Sequence, residues 1–155
     1  MQSKSRAPVT VYRIISVTVL AFLLVVIFCL SAQTASESSE LSGGVLGVLK
    51  ALRLLIGEEQ LRTLAHFCEF AALGFAAANA AFSLYGYFRP VLAAVFACVY
   101  SLSDEIHQIF VPGRAFQLSD LAVDWSGVVC GTIVCTLIFL SVRRRNEYGK
   151  AISMY

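Results

Sequence analysis

Five carboxylates that could do chemistry are placed on three apolar stretches of this chain: Glu69, the pair Asp104 and Glu105, and the pair Asp120 and Asp124. Paired carboxylates, one protonated and one ionised, are the groups of general acid–base catalysis. His66 precedes Glu69 by three residues and follows Arg62 by four, so all three share one helical face. Imidazole with carboxylate oxygens also suits a divalent metal such as Zn²⁺, Mn²⁺ or Mg²⁺. Still, H-x-x-E is far less specific than H-E-x-x-H, and His66 could simply hydrogen-bond a carboxylate on another helix. Gln108 shares a face with Asp104, and Arg114 follows Pro112-Gly113, a turn that folds the chain back towards its own helix end. That arginine suits a clamp on Asp104, on Asp120 or on a phosphate. No serine or cysteine nucleophile has an adjacent base, since Cys68 falls about 100° off the face of Glu69.

The surroundings of these residues are apolar to a degree that decides the class. Hydrophobic residues make up 58% of the 155 and charged ones 14%, and the mean hydropathy of +0.76 is that of a membrane protein. The five cysteines lie in or beside apolar runs with no metal-ligand spacing, and read as small buried hydrophobes. Residues 1–13 are basic. The run 14–32 is too long for the apolar core of a cleaved signal peptide and lacks a fitting cleavage site, so it is expected to be a first span. A serine-rich segment, Ser31–Ser42, reads as a loop. Residues 45–56 form a helix too short to cross, which would lie in the interface, re-enter, or cover the polar site. Further spans are expected over residues 61–87, 90–110 and 118–142, with Arg143–Arg145 ending the last before a basic tail, 143–155. The expected fold is therefore all-α: a four-transmembrane-helix bundle with a short outer helix.

With both termini in the cytoplasm, eight basic residues lie inside and four outside, in keeping with the positive-inside rule. Helical rise then sets the depth of each polar residue. Glu69 and Asp124 fall at the outer boundary, and Asp104 roughly 8 Å below it. Three helices thus deliver carboxylates to one level. On the third span Tyr100, Ser101, Asp104 and Gln108 form one face, while Val99, Leu102, Ile106 and Ile109 form the opposite, lipid-directed one. Gly127-xxx-Gly131 on the fourth allows close backbone approach. Carboxylates in a bilayer cost about 2.5–3.5 kcal/mol each, so they need partners. Here acids outnumber bases, and the centre either holds protonated carboxyls or awaits a cation or basic ligand. Nothing suggests nucleic-acid binding.

Several segments together resemble the VanZ family of small membrane proteins. These are Ser31–Ser39, Leu64-Ala-His-Phe-Cys-Glu-Phe70, Asp104-Glu-Ile-His-Gln-Ile-Phe-Val-Pro-Gly-Arg114 and Ser119–Gly131. The family often has tyrosine where Phe70 stands. The resemblance implies a multi-pass protein of the bacterial plasma membrane, and, through the family's namesake, lowered susceptibility to teicoplanin, a lipidated glycopeptide. The expected role is binding or modifying a lipid-linked or lipidated envelope molecule at the outer leaflet. Glu69, Asp104, Glu105, Asp120 and Asp124 would serve as acid–base groups, and His66, Gln108 and Arg114 as substrate contacts. The alternative is a non-enzymatic binding or partner subunit whose acidic cluster is structural.

Overall fold

The computed structural model describes residues 6–51 and 57–152. They form five helices: α1 (Arg6–Ser31), α2 (Ala35–Ala51), α3 (Glu58–Tyr85), α4 (Pro90–Gln108) and α5 (Leu118–Ile152). Three of these, α1, α3 and α5, are long and apolar enough to cross a membrane. The basic residue Arg53 and the other residues of 52–56 in the expected outer helix lie outside the described residues.

Helix α3 is the hub and packs on all four others. Its small residues make this possible, because Gly74, Ala76, Ala77, Ala78 and Ala80 are all buried. Against α5 the contact is backbone on backbone. A Cβ at Gly127 would come within 2.5 Å of the Phe67 carbonyl oxygen, and Cβ atoms at Gly74 or Gly131 would overlap carbonyls of the facing helix. The expected Gly127-xxx-Gly131 contact is thus made, with Gly74 as its counterpart. Helix α1 is tied to α3 by polar bonds: Arg13 Nε donates to the Ser83 carbonyl (2.8 Å), and Asn79 Nδ2 to Ser16 Oγ (3.2 Å). Tyr100 ties α4 to α1 through the Leu24 carbonyl (2.6 Å).

The α3–α4 connection follows from its residues. Gly86 caps α3 in the left-handed conformation (φ 73°), and Pro90 opens α4. On α4 the expected outward face is exposed, with Val99 at 62% and Ile106 at 47%, while Ser101, Asp104, Glu105 and Gln108 are buried.

Two boundaries correct the sequence expectations. Helix α2 starts at Ala35, not near Val45, so most of the serine-rich segment is helical. Thr34 and Glu37 explain it: the Thr34 amide donates to Glu37 Oε2 (2.9 Å) and the Glu37 amide to Thr34 Oγ1 (3.4 Å), a capping box, and the Thr34 hydroxyl also reaches Glu37 Oε2 (2.8 Å). The other boundary is the end of α5, which continues past Val142 to Ile152 because arginines stop a membrane span but are good helix formers. At 35 residues it is about 52 Å long.

The Thr34 bonds hold the Glu37 carboxyl below its ordinary value of 4.5. Its contribution to the cap is complete above that pH and is lost as pH falls through the lower folded value. Amide-exchange protection at Glu37 and Ser38 should therefore be flat with pH above 4.5, once corrected for intrinsic exchange, and fall below it. Glu37→Gln, which still accepts the same bonds, should remove that acid sensitivity.

Candidate functional site

Three helices bring their carboxylates to one end of the bundle, where α2 and two connections close over them. A cavity of about 90 Å³ lies there. His66 and Glu69 of α3, Asp104 and Gln108 of α4, and Arg114 line it. The lid side comes from Ser38, Leu41 and Ser42 of α2, which lie in the segment expected to be a loop rather than in the expected outer helix, 45–56.

Asp124 has no exposure, and both its oxygens are engaged. Ser101 Oγ donates to Oδ2 (2.9 Å), and His66 Nδ1 lies 3.2 Å from Oδ1. One residue each from α3, α4 and α5 thus meets at this carboxylate. Asp104, 4% exposed, is hydrogen-bonded by Ser31 at the end of α1. Gln108 Nε2 donates to the same Ser31 hydroxyl (3.3 Å). Glu105, also fully buried, accepts the Gln117 amide at Oε2 (2.9 Å).

Eight residues were expected at the site, and the structure sorts them into two groups. Glu69, Asp104, Gln108, Arg114 and His66 surround the cavity, with Asp124 and Glu105 set beside His66. Asp120 does not join them. It pairs with Arg62 (3.4 Å) in a neighbouring cleft of about 420 Å³, which Arg62 and His66 also line. Arg114 does not clamp Asp104 or Asp120. Gly113, with φ 76°, turns the chain against Ala35, and Arg114 Nε then donates to the Gln33 carbonyl (3.3 Å). Burial and the nearby Arg62 lower the pKa of this guanidinium, while Asp120, Asp104 and Glu105 act in the opposite direction. His107, near the end of α4, lies tilted against Phe28 with ring centroids 4.8 Å apart.

The residues that sequence reasoning left out of the site are Ser31, Ser101, Gln33 and the α2 side chains. Ser101 carried a usable signal, standing three residues before Asp104 on the same face. Ser31 and Gln33 stand in a segment that carries the family resemblance, but their spacing pointed to no site, since only the folding of the α1–α2 connection brings them in.

Residues 16–140 match a protein-family model described as VanZ/LLP1. No curated protein and no solved structure matches the chain.

Proposed function

The chain belongs to the VanZ/LLP1 family, and on that premise we propose that it binds or modifies a lipid-linked or lipidated envelope molecule at the outer leaflet of a bacterial plasma membrane. In this reading α4 is a fourth, shorter span, about 28 Å long for its 19 residues, and both termini are cytoplasmic. Teicoplanin-type tolerance is the expected cellular readout.

One observation carries the proposal. Buried carboxylates from α4 and α5 meet a histidine and a glutamate of α3 beside a small polar cavity at one end of the bundle. Asp104, Glu105 and Glu69 are the acid–base candidates. Arg114 and Gln108 would contact an anionic or amide group of the ligand. Asp124, satisfied on both oxygens, and Asp120, paired with Arg62, serve to position their partners.

The engagement of Asp124 also favours a second reading, a partner subunit in which the acids only hold the helices together. Tolerance and protein level measured together for Asp104→Asn, Glu105→Gln and Arg114→Ala separate the two. Binding or chemistry predicts tolerance lost at least several-fold with protein level unchanged. If tolerance declines only in step with folded protein, the structural reading is correct.

A further inference from the structure

Three groups able to ligate a metal meet where α3, α4 and α5 converge. One ligand atom each from His66, Glu105 and Asp124 lies within 4.8 Å of the other two. Glu105 is the telling member. It is fully buried, and only its Oε2 has a donor; Oε1 has no hydrogen-bond partner. Three residues further along the same face of α4, Gln108 Oε1 is a second buried acceptor without a donor, at 1% exposure. A buried polar atom left unmatched costs about 1–3 kcal/mol, and more when charged. Both atoms are acceptors, and what each lacks is a positive or donating group.

We infer that His66, Glu105 and Asp124 form a binding site for a divalent cation. One imidazole nitrogen with two carboxylate oxygens favours Zn²⁺ or Mn²⁺ over Mg²⁺, which prefers oxygen ligands and keeps several waters. Bonds of about 2.0–2.2 Å put opposed ligands no more than about 4.4 Å apart. Loading therefore draws the three groups slightly together. The outer contacts are already in place. Ser101 holds one oxygen of Asp124 and the Gln117 amide one of Glu105, the kind of second bond that orients a metal-binding carboxylate. The cation deepens the reading of this site as a ligand pocket and rests on it for its role, which is to bind the phosphate or carboxylate oxygens of the envelope molecule.

The test uses the full chain, purified in detergent, stripped with chelator and titrated separately with Zn²⁺, Mn²⁺, Mg²⁺ and Co²⁺. Wild type should retain about one Zn²⁺ or Mn²⁺ per chain by elemental analysis, with a rise in thermal midpoint that Mg²⁺ does not reproduce. Co²⁺ should give visible absorption bands distinct from those of the aqueous ion. Glu105→Gln and His66→Gln should weaken binding at least about tenfold, and Glu58→Gln, in the exposed first turn of α3, should not. Monodisperse wild type that takes up none of Zn²⁺, Mn²⁺ and Co²⁺ overturns the inference, as do site variants that fold and bind like wild type. If the variants fail to fold, the wild-type Co²⁺ spectrum decides. Metal bound in purified protein, with tolerance untouched by the same substitutions in cells, supports the cation site and defeats the envelope-ligand reading. The reverse pattern defeats the cation site alone.

Discussion

Gly131→Val should leave almost no folded protein, and Gly131→Ala should lower stability by about 3 kcal/mol or more, the upper end of what overpacking costs. The reason lies in what a side chain would meet. Any Cβ at Gly131 overlaps the Ala71 carbonyl oxygen of α3 and comes within 3.0 Å of the Phe75 amide nitrogen. These are backbone atoms inside a helix, and no rotamer change moves them aside. The two helices would have to separate along their whole contact, which also includes Gly127 against Phe67 and Gly74 against Val128. Gly43→Ala and Gly44→Ala are the controls, since nothing lies within 4 Å of either added Cβ. They should be neutral or stabilising, by up to about 1 kcal/mol from helix propensity. Reversible unfolding in mixed micelles measures all four. A Gly131→Ala protein as stable as Gly43→Ala would mean that α3 and α5 are not in backbone contact.

Asp124→Leu should be the most damaging change among the polar residues, costing about 3–5 kcal/mol, as expected when one partner of a buried pair is removed. It leaves Ser101, which has no exposure, without its acceptor and the half-buried His66 without its carboxylate. Asp124→Asn should be much milder. Its amide oxygen still accepts the Ser101 hydroxyl, and its amide nitrogen can donate to a His66 ring nitrogen in the other tautomer. The same unfolding measurement separates the two variants. Equal losses for Leu and Asn would show that the charge at Asp124, rather than its hydrogen bonds, holds the three helices.

Much of the polar centre was legible before any coordinates, for a simple reason. Each helix has a fixed rise and period, so counting from a helix end sets the level of Glu69, Asp104 and Asp124 along the bundle, and spacing sets the face. Those two constraints suffice to gather groups whose side chains are short. Arginines were less tractable. A guanidinium on a long stem can reach several acids, and the choice of Arg62 by Asp120, like the choice of Gln33 by Arg114, depends on how two connections fold across one another. The α2 start went wrong for a different reason. Serine-rich composition has poor intrinsic helix propensity, and it outweighed the four-residue signature Thr34-x-x-Glu37, which should have decided the matter. At α5 a membrane criterion was used to end a helix, although Arg143–Arg145 interrupt only hydrophobicity.

The fastening of the two connections to each other limits the size of what can be recognised. The Ala35 amide donates to the Pro112 carbonyl (3.3 Å), and Arg114 reaches back to Gln33, so α2 and the α4–α5 turn form one latched roof. The cavity beneath it is small, about 90 Å³, and only partly closed. A whole lipoglycopeptide is many times too large to be enclosed. On the proposed reading, only a small terminal moiety of an envelope ligand would enter, and the bulk of it would remain outside, in the lipid or the aqueous phase.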